Sequence, residues 1–356
     1  MSTSDNPNLD FLRATAVSYV FISHLTFFRG IYYLGPLRIV PLGYWGVFIF
    51  FVHTSLVLML SLERQWIQHG PKNLFWSFII RRCFRIFPLS VLVVSLIALS
   101  RIPQQVVEHG YFVGAAATKW DILSNLLLIQ DLTTGVSILG PLWSLPYEMQ
   151  MYLFLPFLFL LFRPQISYWW VILLWLASGA AAVSTLRHPW IPDFLLYVPC
   201  FLPGVLAYRL VRSDRARLPA FLWPIAILAL TILFLLKTGW PYPWLACFVL
   251  GLAIPRFSSL SNPWLVKACQ VVAKYSYGIY LTHFFTIWFA FVKLSPMPRT
   301  ARWVVFLLCS AGLPVLFYHL FEEPMIQVGK KLADCLSATS IQEHNESETI
   351  PTAKLS

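Results

Sequence analysis

The chain has 356 residues, of which 58% are hydrophobic and 12% charged, with a mean hydropathy of +0.69. A soluble globular domain carries about twice that charged fraction, so the composition is that of a membrane protein. The formal net charge of +11 comes from basic residues set between apolar runs, where they direct topology, so nucleic acid is not an expected partner.

The apolar runs have the length of helices, and a bilayer core about 30 Å thick needs roughly 20 such residues per crossing. Outer-membrane strands of roughly ten alternating residues fit the pattern badly. The expected fold is all-α: a polytopic transmembrane helical bundle. Ten spans are expected, at about 9–29, 39–62, 86–102, 143–162, 167–186, 192–211, 220–237, 240–256, 275–293 and 303–321. The piece from Ile122 to Ile129 is too brief to cross and reads as re-entrant or interfacial. With the N-terminus inside, sixteen Lys and Arg fall on the inner side and nine on the outer. This bias puts both termini in the cytoplasm. Asp5 and Asp10 replace the basic start of a signal peptide, so the first span is expected to be retained. A membrane domain over 1–331 and a polar, disordered cytoplasmic tail over 332–356 complete the organisation. The six cysteines show no metal-ligand spacing, and no metal is expected.

The first span, NLDFLRATAVSYVFISHLTFF, places Arg13 and His24 eleven residues apart. That is about three turns, on one face and roughly 16 Å apart along the axis. Ionisable groups at such depth face a cavity or a partner, although Arg13 also suits an interfacial snorkelling role and His24 a packed core. The third span opens on RRCFRIFPLS, whose Arg81, Arg82 and Arg85 either anchor the inner face or cradle an anion through their planar donor forks. In PLWSLPYEMQMYLFLP, Ser144 and Glu148 suit a helix start. Glu148 and Tyr152 share a face. In KYSYGIYLTHFF, Ser276, Tyr280 and His283 form one polar stripe, of the kind that bonds neighbouring helices. FEEPMIQVGKK, with Glu322, Glu323 and Pro324, closes the last span in a structural role.

Taken in order, these segments resemble the acyltransferase family 3 membrane enzymes, which include O-acetyltransferases of bacterial surface polysaccharides. The likeness runs from Leu9, Asp10, Arg13 and His24 through GVFIFFV, RRCFRIFP, LWSLPYE with Tyr152 and Pro156, and SYGIYLTH, to Glu323-Pro324. Phe48, His53 and Thr54-Ser55 depart from the family's second-span pattern, which bears on the substrate more than on the reaction. The resemblance implies an acyl-CoA donor, acetyl-CoA by default, on the cytoplasmic side. It also implies a carbohydrate or glycosylated acceptor at the other face of a bacterial inner membrane. On this reading His24 is the general base, Glu148 orients or charge-stabilises it or positions the acceptor, and Arg13, at the inner end with the coenzyme A phosphates, is the third catalytic residue. Arg82, Arg85, Trp143, Ser144, Tyr152, Tyr280 and His283 are the candidates for binding coenzyme A and substrate. The competing readings are a secondary transporter or flippase of a carbohydrate or lipid-linked substrate, and a structural subunit. Neither the two-half symmetry nor the paired broken helices of transporters are evident.

Overall fold

A computed structural model describes residues 6–100, 105–108, 111–114, 117–162, 166–188, 193–211, 217–237 and 239–348. Arg101, Arg163, Arg212, Arg215 and Lys354, which enter the charge bias, lie outside the described residues.

The described helices are α1 (Pro7–Phe28), α2 (Pro41–His69), α3 (Leu74–Ser100), the short α4 (Lys119–Leu126), α5 (Leu145–Leu161), α6 (Trp169–Arg187) and α7 (Phe194–Leu210). They continue with α8 (Leu222–Leu236), α9 (Tyr242–Ala253), α10 (Pro263–Trp288), α11 (Arg299–Phe317) and α12 (Glu323–Glu348). All ten expected segments coincide with helices, α1–α3 and α5–α11 of these twelve. A π turn over Tyr318–Glu322 makes α11 and α12 one continuous rod. Five described helices are long and apolar enough to cross a membrane, and three more are apolar but shorter. The 12-residue α9 reaches only about 18 Å, short of the core thickness. Apolar helices thus make this an integral membrane protein, while the number of crossings is not fixed by helix count.

Two small antiparallel hairpins interrupt the all-α pattern: β1 (Tyr33–Leu34) with β2 (Leu37–Arg38), and β3 (Gln105–Glu108) with β4 (Tyr111–Gly114). Of the Ile122–Ile129 piece, the residues after Leu126 leave as a turn and those up to it fold within α4. There Thr118 and Asp121 close a capping box, which satisfies two orphan amides at once.

Two helices start well before the expected spans. Hydropathy ends a span at the first charge, whereas helical hydrogen bonding accepts Arg readily. So α3 begins at Leu74 and carries Arg81, Arg82 and Arg85 within it. Helix α10 begins at Pro263, where the Asn262 side chain accepts from the Trp264 and Leu265 amides at 3.1 Å. α12 likewise runs on into the segment expected as a tail. Ala333 is buried, Asn73 Nδ2 donates to the Leu336 carbonyl at 3.1 Å, and Arg81 pairs with Asp334 at 2.5 Å. Helix α12 continues the rod and packs against α3.

Helix α2 is the hub. Its apolar window is 72% buried, against 11% for the Arg299–Leu336 rod, so α2 is central and the rod peripheral. Two glycines set the close approaches. A Cβ at Gly46 would lie 2.5 Å from the Ala16 carbonyl of α1, and one at Gly204 would lie 2.2 Å from the Val52 carbonyl and 2.6 Å from Ser55 Cβ. Small residues let helices meet this way where no water drives them together. Ser55, a departure from the family pattern, is the small residue under α7. Phe48, another, is buried among Phe51, Tyr197, Phe234 and Trp240. Polar staples fix α1 on this frame. Asn8 Nδ2 donates to the Ser258 carbonyl at 3.0 Å while its Oδ1 accepts from the Leu260 amide at 2.9 Å.

Candidate active site

Packed between α1, α2, α3, α5 and α10 are two abutting cavities. The first, of about 60 Å³, is lined by Arg13, Thr54, Arg85, Glu148, Tyr152 and Ser276 among others. The second, of about 200 Å³, is lined by Ser23, His24, Phe27, Tyr44, Trp143 and Phe284 among others. Val47 and Tyr280 stand on the wall of both.

Arg13 enters the first cavity from the second turn of α1. Its Nε donates to Ser276 Oγ at 2.6 Å, and its charge is within reach of Arg85, Glu148 and Glu322. Glu148, in the first turn of α5, accepts a hydrogen bond from the Tyr152 hydroxyl one turn on. Glu322 is 1% exposed, and neither carboxylate oxygen has a hydrogen-bond partner of normal geometry among the described residues. A carboxylate so placed is tolerable only because cations face it, and Arg85 and Arg13 do so. Buried His53 lies within reach of the same two arginines. Arg82 lines neither cavity. Its guanidinium sits 5.9 Å from the Phe78 ring centroid, and its buried Nε has no partner among the described residues.

Ser144, a candidate for substrate binding or for a helix cap, makes no capping bond and lines the first cavity. Its Oγ lies 2.7 Å from the Tyr280 hydroxyl, which donates to the Pro141 carbonyl at 2.7 Å. That hydroxyl has one hydrogen, so Ser144 is the donor in their contact.

His24 enters the second cavity from α1. Its Nδ1 lies 2.8 Å from Nε2 of His283, whose own Nδ1 lies 3.1 Å from the Ile279 carbonyl. The partner of His24 is therefore a histidine. Glu148, the carboxylate expected beside it, occupies the other cavity with Arg13. Trp143 lines the His24 cavity and packs against Tyr44, Tyr147 and Tyr197.

Of the ten residues singled out by sequence, Arg13, Arg85, Ser144, Glu148, Tyr152 and Tyr280 thus gather on the first cavity. His24, Trp143 and again Tyr280 gather on the second, His283 backs His24, and Arg82 stands outside. Sequence reasoning had set aside two residues that belong to the site: Ser276, noted only in a stripe, and Glu322, read as structural.

The family model for the acyltransferase domain of acyltransferase family 3 matches residues 6–319. The chain belongs to the acyltransferase family 3. It is a membrane acyltransferase, and the matched stretch holds every wall of both cavities. No curated protein and no solved structure matches the chain.

Proposed function

We propose that this acyltransferase moves an acyl group, acetyl by default, from acyl-CoA to a hydroxyl of a carbohydrate or glycosylated acceptor. The observation that carries the reading is the pair of abutting cavities, one walled by arginines and the other by His24, with Tyr280 between them. Acyl transfer between substrates held at opposite faces needs such an arrangement: a polar entry for a phosphorylated donor, and a base where donor and acceptor meet. Arg85 and Arg13 on the first wall offer charge-assisted donors to phosphate.

The chemistry needs one proton moved twice. The acceptor hydroxyl attacks the thioester carbonyl and forms the new C–O bond while His24 takes its proton. The tetrahedral adduct then collapses, the C–S bond breaks, and the sulfur leaves as a thiol with that proton. A positioned imidazole suits this near neutral pH and contributes about 10²–10⁴-fold. The Glu148–Tyr152 and Arg13–Ser276 pairs hold the first cavity's walls. In this reading both termini are cytoplasmic, and the acceptor reaches the His24 cavity from the far side of a bacterial inner membrane.

The test is release of free thiol from acetyl-CoA by purified protein in liposomes, offered a panel of sugars and glycans, beside His24→Ala. Acceptor-dependent release that the variant loses supports the reading. Wild-type rates in a folded His24→Ala protein would remove His24 from the mechanism. A folded wild-type protein that turns over no donor would shift the reading to transport, tested by substrate flux.

A further inference from the structure

We propose that His283 is a positioning residue that fixes the proton of His24 on Nδ1 and leaves the Nε2 lone pair to act as base. The inference rests on His24 being the base of the proposed transfer.

The assignment follows from one acceptor. The Ile279 carbonyl can only accept, so His283 Nδ1, 3.1 Å away, carries hydrogen. A neutral imidazole has one N–H, so His283 Nε2 is a lone pair. His24 Nδ1 lies 2.8 Å from that lone pair and must be the donor. The single N–H of neutral His24 is thereby committed to His283, and its Nε2 is an acceptor. The chain of donors runs one way, from His24 through His283 to a backbone carbonyl, and ends there.

The ring geometry supports a true hydrogen bond. The ring centroids are 5.0 Å apart with planes at 22°, while the two nitrogens are 2.8 Å apart. Plane separation cannot exceed that nitrogen distance, which is closer than faces can stack. The rings therefore meet edge to edge in nearly one plane, along the lone-pair direction a hydrogen bond prefers. Packing holds them there. Phe284 stands edge-on to His24 at 5.5 Å, and Phe21 flanks His283 at 6.0 Å. His283 and Ile279 are one turn apart on α10, so the anchoring carbonyl is supplied by the same helix that carries the ring.

The device does what a carboxylate does for a catalytic histidine, without a second buried charge. A carboxylate at this depth would carry a large desolvation penalty, whereas imidazole and carbonyl are both neutral. When His24 gains its second proton, the Nδ1–H bond to His283 becomes charge-assisted and stronger. His283 thus acts through His24 and touches no substrate.

The test compares His283→Gln with His283→Leu for donor-dependent acyl transfer, kcat and KM measured separately. The Gln amide oxygen falls where Nε2 stood and accepts from His24 Nδ1–H, whereas Leu cannot. The expected result is a kcat about 100-fold lower for Leu, KM for both substrates little changed, and Gln within about tenfold of wild type. Equal impairment of Gln and Leu, or wild-type kcat in folded Leu protein, would overturn the proposal. Nitrogen-15 spectra of histidine-labelled wild-type protein, with His24 assigned by its absence in His24→Ala, read the tautomer without relying on either variant. Protonated Nδ1 and bare Nε2 are expected, and the reverse would overturn it. Full activity of His24→Ala would instead remove the base itself, an outcome separate from these.

Discussion

Tyr280 and Ser144 are joined hydroxyl to hydroxyl at 2.7 Å, and this bond closes the wall between the arginine-lined cavity and the His24 cavity. Tyr280 also holds the Pro141 carbonyl at 2.7 Å, which ties α10 to the 3₁₀ turn Gly140–Ser144 that leads into α5. On the proposed mechanism, an acyl group entering beside Arg13 passes this wall to reach His24. Tyr280→Ala is expected to join the cavities and admit water, so acyl-CoA hydrolysis without acceptor should rise several-fold while transfer to acceptor falls. Thiol release with and without acceptor measures both. An unchanged ratio would show that the donor reaches His24 by another route.

Arg13 is held by Ser276 and faces Glu148 and Glu322. Removing a buried charge that others compensate costs about 3–5 kcal/mol, so Arg13→Gln should lower the yield and thermal stability of folded protein as well as its activity. Ser276→Ala removes one charged hydrogen bond, worth about 1.5–3 kcal/mol, and should be milder. Arg13→Lys should rescue little, because a point charge does not reproduce the guanidinium fork. Thermal unfolding in detergent by size-exclusion chromatography ranks the three. A fully stable Arg13→Gln protein would refute the network.

How far sequence reaches is plain from Glu322 and Glu323. Both were set aside with the terminal proline, yet Glu322 is 1% exposed beside the arginines while the Glu323 side chain is 43% exposed. The π turn over Tyr318–Glu322 shifts the helical phase by a residue, and a 3.6-residue repeat cannot foresee that. Arg13 and His24 were legible because both lie on one unbroken helix, where spacing fixes the face. The His24–His283 bond was not, since it depends on the rotation of α10 against α1. That rotation is set by packing along the whole interface and leaves no mark in a twelve-residue motif. Likewise Glu148 was expected near His24, because its place in the sequence gives its turn of α5 but not its height against α1.

At the α2–α7 crossing a glycine lets the two backbones meet closely. A Cβ on Gly204 would press within 2.2 Å of a backbone carbonyl, which cannot turn aside as a side chain can. Gly204→Ala is therefore expected to push α7 away from α2 and cost at least the 1–3 kcal/mol typical of overpacking. The aromatic cluster around Phe48 and Tyr197 would shift with it. Folded yield and melting temperature in detergent should both drop. Wild-type values would mean that the helices can separate freely here.

The middle of α12 offers a contrast between packing and charge on a single turn. Ala333 is fully buried, and its carbonyl accepts from Ser77 Oγ at 3.3 Å, whereas the neighbouring Asp334 side chain is 43% exposed in its pair with Arg81. Ala333→Leu should cost about 1–3 kcal/mol through overpacking, whereas Asp334→Ala should cost about 1 kcal/mol or less, as solvent-screened pairs do. The ordering follows from burial, since no water is there to relieve the clash while water readily replaces the carboxylate. It is checked by comparing the two variants' melting temperatures at low and high salt. Only the Asp334 effect should shrink as salt rises. A larger loss from Asp334→Ala than from Ala333→Leu would mean that charge, and not close packing, seats α12 on α3.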